Sequence, residues 1–298
     1  MKKIKKMTLK KDGNIFKIFE RTLVSSSLDE VLAIIEERIL EGRKTLVVTP
    51  NPEFMVYAYR HPWFEEILIH SDMAIPDGVA LLWAREVLKQ KGFFNRLLAG
   101  FLTGGKIIFA GWGEKRVTGT DLMEKLCQLA AKKEWRIYLL GGKPGIATKT
   151  LKVLRQKYPG LKGWATTGPN LELRMDNGEW RSENTSDGGR PILRSADSSK
   201  VSKWVDQINR RQPDLLFVAF GMGKQEKFIA DNWDKLKVKM AMGVGGAFDY
   251  LSGEVKRAPQ WIQKIGFEWF YRLMKEPWRW KRQLSLGKFI WLVLTAKN

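Results

Sequence analysis

The chain has 298 residues, enough to bury a full hydrophobic core as one large domain or two small ones. A hydrophobic fraction of 44% and a charged fraction of 28% exclude a disordered protein and one fully embedded in a membrane. The net charge of +20 predicts anionic partners, which could be nucleic acid, anionic lipid or phosphorylated substrates.

The scarce reactive residues exclude several kinds of site. Cys127 is the single cysteine and lies in a helical pattern, so we expect a buried structural thiol and no disulfide. His61 and His70 have no cysteine cluster near them, which argues against a zinc site. The basic N-terminus lacks the apolar run of a signal peptide, and residues 289–294 are far fewer than the roughly 20 that span a bilayer. We therefore expect a cytoplasmic protein that could touch a membrane but does not cross it.

Short apolar segments alternate with amphipathic helical patterns along the chain. The apolar segments end in glycine, proline or a small polar residue and cover residues 44–51, 73–78, 135–142, 214–221 and 239–246. Helical patterns cover residues 27–42 and 120–133. This alternation predicts an α/β fold, a mostly parallel sheet flanked by helices, with ligands bound at the carboxyl ends of the strands.

Two segments interrupt the alternation, and the composition changes near the end. Residues 89–115 are glycine-rich and apolar without clean periodicity, and the polar residues 168–200 predict a long surface insertion. Residues 254–298 hold ten Lys and Arg, three Glu and nine aromatic residues, a composition unlike that of the preceding chain. We therefore divide the chain into an α/β catalytic domain, 1–253, and a basic, aromatic appendage, 254–298.

Polar side chains follow the first two predicted strands. In TPNPEF (49–54) the prolines fix an extended turn that presents Thr49 and Asn51, although both residue types also cap helices. In IPDG (75–78) Asp77 could act as a general base, or it could belong to an Asp-Gly turn or a helix cap.

Glycine clusters follow three later strands. They are GGKPG (141–145), GMGKQE (221–226) and GVGG (243–246), and they include Gly221, Gly243 and Gly245. Such turns let backbone amides approach a phosphate, although each could be only a tight turn. None of them fits the dinucleotide or P-loop fingerprint.

The C-terminal segment combines cations with aromatic rings. Arg272, Lys275, Arg279 and Arg282 would share one face of a continuous helix, unless Pro277 begins a second helix. The rings between them suit a bilayer interface. The chain has no D-x-D element to hold a metal on a diphosphate, so arginine is the expected substitute.

These motifs resemble the WecG/TagA/CpsF family, glycosyltransferase family 26. The resemblance rests on TPNPEF, IPDG, RVTGTDL (116–122), GMGKQE and the block from Gly243 to Arg279. It implies a Rossmann-like sheet with a helical, membrane-associating C-terminal appendage, and an inverting transferase that needs no metal or cofactor. The implied donor is a UDP-sugar, and the implied acceptor is a polyprenyl-diphosphate-linked sugar of the N-acetylglucosamine type.

The resemblance also implies roles for individual residues. Asp77 takes the position of the base, and Arg272, Arg279 and Arg282 take those of the arginines that close over the diphosphate. The pocket positions fall on Thr49, Asn51, Arg116 and Gln225. The donor sugar, the polymer pathway and a homo-oligomeric state are left open.

Two other classes of protein compete with this interpretation. A nucleic-acid-binding module would explain the charge and the interleaved rings, but not the residues at the strand ends. A nicotinamide-dependent oxidoreductase would share the sheet, but the sequence lacks GxGxxG followed by an acidic residue.

Overall fold

The structure, a computed structural model, describes residues 15–18, 21–24, 27–110, 117–174, 192–195, 199–277 and 280–296. The described elements in chain order are β1 (Ile15–Ile18), β2 (Arg21–Val24), α1 (Leu28–Leu40), β3 (Thr45–Val48), α2 (Pro52–Arg60), α3 (Pro62–His70), β4 (Met73–Ala74), α4 (Val79–Leu88), α5 (Phe93–Ala110), α6 (Gly119–Lys132), β5 (Arg136–Gly141), α7 (Ile146–Lys157), β6 (Lys162–Thr166), β7 (Leu171–Arg174), β8 (Ile192–Ser195), α8 (Ser199–Arg211), β9 (Leu215–Ala219), α9 (Lys224–Asp231), β10 (Met240–Gly243), α10 (Ala247–Leu251), α11 (Gln260–Lys264), α12 (Glu268–Lys275) and α13 (Trp280–Thr295).

A six-stranded parallel sheet forms the centre of the molecule, in the order β4-β3-β10-β9-β5-β6. The five apolar segments predicted as strands supply every strand except β6, so the predicted fold class is confirmed. Sequence analysis missed β6 because its residues, KGWAT, are not an apolar run. An edge strand such as β6 pairs on one side only and need not be apolar throughout.

The connections place a switch point in the middle of the sheet. From β3 the chain adds β4 on one side, and it then crosses over to build β5 and β6 on the other. The last two strands, β9 and β10, fill the space between them. Because all six strands are parallel, their carboxyl ends lie along one edge, where open α/β sheets bind ligands.

Both faces of the sheet are covered, as the near-continuous apolar strands require. Alternate residues of the central strands point to opposite sides, so Val47 and Phe217 pack in one hydrophobic cluster while Leu46 and Val218 pack in another. The first cluster is closed by α1, α6 and α7, and the second by α8 and α9.

Two antiparallel pairs lie outside the central sheet. β1 pairs with β2, and β7 pairs with β8. The second pair, β7 and β8, lies within the predicted insertion at 168–200, so regular strands form near both ends of that insertion. Residues 175–191 and 196–198 lie outside the described part of the chain.

The segment 89–115, which has no clean periodicity in the sequence, contains a regular helix, α5. Gly100, Gly104 and Gly105 lie inside this helix. One of them, Gly100, packs against Trp83 so closely that an added Cβ would lie 2.9 Å from the Trp83 ring. The glycine at this position therefore serves close packing between α4 and α5.

The prediction of one continuous C-terminal helix is wrong. The alternative, in which the helix is interrupted near Pro277 and a second helix follows, is confirmed. α12 ends at Lys275, and α13 begins at Trp280. Proline lacks a backbone N–H and restricts the residue before it, which explains the interruption. The cations of this segment therefore do not share the face of one helix.

One side of the apolar run near the C-terminus belongs to the hydrophobic core. Phe289 and Val293 of α13 are fully buried and belong to a third cluster with residues of α2, α3 and α4. The last helix is thus docked on the same body that carries β3 and β4. None of the described helices is long and apolar enough to cross a membrane.

Candidate active site

A cleft of about 930 Å³ opens at the carboxyl edge of the sheet. It is lined by eight of the residues that sequence analysis selected, namely Thr49, Asn51, Asp77, Gly221, Gln225, Gly243, Gly245 and Arg272. These residues come from positions up to 223 apart in the chain, and the parallel topology brings them together. The volume is in the upper range for small-molecule sites.

The turn after β3 positions Thr49 and Asn51. The Asn51 side chain accepts a hydrogen bond from the backbone N–H of Phe54 at 3.0 Å, so its capping role at α2 is confirmed. Pro52 follows in the first helical turn, where a missing N–H costs nothing. Thr49 is buried against the start of α6, where an added Cβ on Gly119 would lie 3.1 Å from its hydroxyl oxygen. Capping thus fixes Asn51 at the cleft wall.

Asp77 lies between two chain segments that hold its backbone. Its N–H donates to the carbonyl of Pro50 at 2.8 Å, and the residue forms a parallel bridge with Val117. The N-cap of α4 is Gly78, with φ of +87°, so the helix-cap alternative for Asp77 is wrong. The backbone is thereby fixed at the mouth of β4, and the residue lines the cleft.

A buried pair, Gln225 and Glu226, joins the turns after the two central strands. The Gln225 Oε1 accepts from the N–H of Gly245 at 3.0 Å, and its Nε2 donates to Glu226 Oε1 at 2.7 Å. The other Glu226 oxygen accepts from the N–H of Gly223 at 2.7 Å. One carboxylate and one amide therefore connect the β9–α9 turn to the β10–α10 turn.

Gly243 is required by this pair. A Cβ on Gly243 would lie 2.7 Å from both the Gln225 amide nitrogen and the Glu226 carboxylate. Any side chain at this position would displace the two polar groups. The glycine therefore acts through close packing beneath the cleft, in addition to the phosphate approach that the sequence predicts for it.

Burial raises the pKa of Glu226 to about 7, while the hydrogen bonds from Gln225 and Gly223 act in the opposite direction. Desolvation disfavours the charged form of a carboxyl group, and here it outweighs the donors. The group is fully buried beside the cleft. Sequence analysis selected Gln225 and passed over its neighbour, because the glutamate of GMGKQE looks like an ordinary residue of a first helical turn.

Arg272 reaches the cleft from α12. Its guanidinium lies over the Tyr250 ring at 4.9 Å, and its Nε donates to Glu276 at 3.0 Å. An added Cβ on Gly246 would lie 3.3 Å from the guanidinium nitrogens. A cation is therefore held directly beside the glycine turn after β10.

A second arginine, Arg257, holds α12 against the rest of the site. Its guanidinium donates to Glu268 at 2.7 Å, to Thr118 at 3.1 Å and to both carboxylate oxygens of Asp121. These acceptors belong to the beginnings of α12 and α6. Sequence analysis did not single out Arg257, because its letters, VKRAP, resemble those of any basic surface turn.

Three predicted residues have no described side chain. Arg116 and Arg279 lie outside the described residues, and Arg282 lies on α13 with its side chain outside the described part. Where the structure does describe the chain, no group of three His, Cys, Asp or Glu residues could hold a metal ion.

The fold is that of an open α/β protein with a cleft at the carboxyl edge of a parallel sheet, the place where proteins of this class bind their ligands. Residues 16–101 and 99–298 match the model of the Glycosyl transferase WecG/TagA/CpsF family. The chain belongs to that family, and it is a glycosyltransferase. This result favours the predicted class over the nucleic-acid-binding module and the oxidoreductase.

The chain is similar over most of its length to several bacterial enzymes. A relative from Bacillus subtilis strain 168 is 30% identical over 92% of this chain and 89% of its own length. A relative from Bacillus spizizenii is 28% identical over 91% of this chain and 87% of its own length. A relative from Staphylococcus aureus strain MRSA252 is 24% identical over 98% of both chains. All three are named N-acetylglucosaminyldiphosphoundecaprenol N-acetyl-beta-D-mannosaminyltransferase.

Glu226 predicts a pH dependence of stability. Its pKa is 4.5 for the free side chain and about 7 in the folded protein, so between these values the folded state binds more protons than the unfolded state. The free energy of unfolding should therefore fall as the pH rises through this window and remain lower above it. Glu226→Gln removes this titrating group. The free energy of unfolding of the wild type minus that of the variant should therefore fall by on the order of 3 kcal/mol from pH 4.5 to 7. Urea unfolding at several pH values measures it.

The matched control is Glu254→Gln, which removes an exposed carboxylate that pairs with Lys149. This variant should keep the fall with pH that the wild type shows. Parallel curves for the wild type and Glu226→Gln would contradict a raised pKa at Glu226.

Proposed function

We propose that the protein transfers an N-acetylmannosaminyl group from a UDP-linked donor to a polyprenyl-diphosphate-linked N-acetylglucosamine. The observation that carries the proposal is the meeting of Asp77 and Arg272 at one cleft, in a chain whose relatives are named for that transfer. The proposal includes inversion at the anomeric carbon and no requirement for a metal ion.

The donor diphosphate would lie over the turns after β9 and β10. Gly221 and Gly245 line the cleft there without side chains in the way. The N–H of Gly245 donates to Gln225, which fixes the second turn. The guanidinium of Arg272, 3.3 Å from the Cβ position of Gly246, supports a phosphate site at this turn. Thr49 and Asn51 would contact the donor or the acceptor sugar from the β3 side of the cleft.

The chemical step would involve Asp77 as the general base. Its carboxylate takes the proton from the acceptor hydroxyl, and that oxygen forms a bond to the anomeric carbon of the donor sugar. The bond from this carbon to the diphosphate oxygen breaks on the opposite face, and UDP leaves with the electron pair. Arg272, together with Arg279 and Arg282, would stabilise the charge that develops on the diphosphate.

Residues 254–298 would serve as a functional appendage to the domain 1–253. Arg272 comes from beyond Gly253, yet it lines the cleft with residues that precede it. Because the proposed acceptor is attached to a membrane lipid, the protein would work as a peripheral protein on the inner face of the membrane. Its aromatic side chains at Trp261, Trp269 and Trp280 are at least 38% exposed and suit the headgroup region.

A transfer assay tests the proposal directly. Purified protein is mixed with a water-soluble analogue of polyprenyl-diphosphate-N-acetylglucosamine and a series of UDP-sugars, with and without EDTA. We expect a disaccharide product with UDP-N-acetylmannosamine and an unchanged rate in EDTA. Product with a different donor would correct the sugar, loss of product in EDTA would refute metal independence, and no product with any donor would refute the reaction.

Asp77→Asn should lower kcat by at least about 100-fold, because the amide keeps the shape of the side chain but cannot accept the proton. Steady-state kinetics with the soluble acceptor measure the effect. The matched control is Glu53→Gln, which changes another carboxylate of the same cleft and should retain most of the activity. Near-normal turnover by a folded Asp77→Asn protein would exclude Asp77 as the base.

Arg272→Ala should lower kcat by about 100-fold to 1,000-fold, the usual loss when one group that stabilises developing charge is removed. Arg272→Lys should recover only part of the activity, because an ammonium cannot form two parallel bonds to a phosphate. Lys275→Ala removes an exposed cation from the same helix and should stay close to the wild type. Equal effects at the two positions would argue for a general charge effect.

A further inference from the structure

The inner side of α5 is fastened to the protein by specific contacts. Arg96 is buried and donates to the carbonyls of Gln90, at 2.9 Å, and Ala296. The indole of Trp83 donates to the carbonyl of Gly100 at 3.0 Å. These bonds, with the close packing of Gly100 on Trp83, fix the rotation of α5 about its own axis. The side that faces outward is therefore determined by the fold.

The outer side of α5 is apolar and exposed. Six large apolar side chains are between 40% and 82% exposed, namely Phe93, Phe94, Leu97, Leu98, Phe101 and Leu102. They recur at spacings of three and four residues, which places them on one face of the helix. Soluble proteins rarely leave such a continuous apolar face uncovered, so it indicates a contact surface.

The surface continues onto the last helix. The ring of Phe93 contacts that of Trp291 on α13, with centroids 6.4 Å apart, and Trp291 is 60% exposed. Arg96 also joins α5 to the end of α13 through its bond to Ala296. The apolar face therefore includes residues of two helices that are held together.

The charge around this surface is mostly positive. The sequence has no Asp or Glu from Val87 to Gly113, but it has Lys89, Lys91, Arg96 and Lys106. It likewise has no Asp or Glu after Glu276, while five Lys and Arg follow. The three lysines near α5 and Lys288 on α13 are exposed, and of these Lys89 pairs with Glu86 at 2.6 Å. Anionic headgroups would complement these cations, whereas a second copy of the chain would bring like charges together.

We propose that the outer face of α5, continued by Trp291, lies flat on an anionic lipid bilayer with its phenylalanine and leucine side chains among the acyl chains. The helix is about 27 Å long and packs on the protein along the side opposite its exposed apolar face, which suits a position in the plane of the interface. This surface is separate from the cleft and holds the cleft at a fixed distance from the membrane. The inference rests on the proposed function only in expecting that the acceptor is embedded in the membrane.

The test uses the full chain and vesicles of phosphatidylcholine that contain about 30% phosphatidylglycerol as the anionic lipid. The variant replaces the three side chains Phe94, Leu98 and Phe101, each at least 60% exposed, by glutamine. We expect it to fold normally and to bind vesicles at least about 30-fold more weakly in sedimentation, because three apolar side chains no longer enter the bilayer. In this variant, brominated lipid should also quench the Trp fluorescence less than it does in the wild type.

The matched control replaces Leu40, Tyr59 and Ile69, which are at least 52% exposed on α1, α2 and α3, by glutamine. It should bind vesicles like the wild type. Equal weakening by both triple variants, or unchanged binding by the α5 variant, would overturn the proposal. An α5 variant that binds vesicles normally but loses self-association in sedimentation velocity would instead assign the face to a second copy.

Activity separates this inference from the proposed function. The α5 variant should transfer sugar to the water-soluble acceptor at the wild-type rate and lose transfer to the acceptor embedded in vesicles. Loss with both acceptors would overturn a purely membrane-contacting role for α5. If the wild type used no soluble acceptor, the proposed function would fail, while vesicle binding would still decide the role of α5.

Discussion

The buried bond between Gln225 and Glu226 is the contact on which the geometry of the cleft depends. Through the N–H groups of Gly223 and Gly245, this pair ties together the turns that follow β9 and β10. The two strands are neighbours at the centre of the sheet, and the Gln225 side chain adds a direct link between the turns above them. Glycine at position 243 leaves the room that both side chains occupy. A polar group is thus buried to hold two backbone segments at a fixed separation, which a preorganised anion site requires.

The sequence predicts the sheet and the location of the cleft well, because both follow from strong local patterns. Apolar segments that end in glycine or proline identify β3, β4, β5, β9 and β10, and parallel strands place their ends along one edge. The motif residues at these ends therefore converge whatever the details of the packing. Strand β6 escaped prediction because an edge position tolerates Lys162 and Gly163, so no apolar run identifies it.

What the sequence could not predict depends on contacts between distant residues. The glycines of α5 predict an irregular segment, but Gly100 lies in a regular helix and permits close packing on Trp83. The run at 289–294 is too short to span a bilayer and has no assigned role in the sequence, whereas in the structure Phe289 is buried against helices that lie some two hundred residues earlier. Arg257 looks like a surface cation, and only the fold brings Asp121 and Glu268 to it. In each case a partner far away in the chain decides the role of the residue.

The strongly basic composition takes two different forms in the structure. Arg257 and Arg272 approach the cleft together with carboxylates, since Asp121 and Glu268 bind the first and Glu276 binds the second. These pairs hold the guanidinium groups in place before any ligand arrives. Around α5 and along α13 most cations instead lack acidic neighbours in the sequence, apart from Lys89, which pairs with Glu86. This leaves a mostly positive field that reaches into solvent. Paired arginines suit a site that must be rigid, and uncompensated lysines suit a surface that must attract a large anionic partner from a distance.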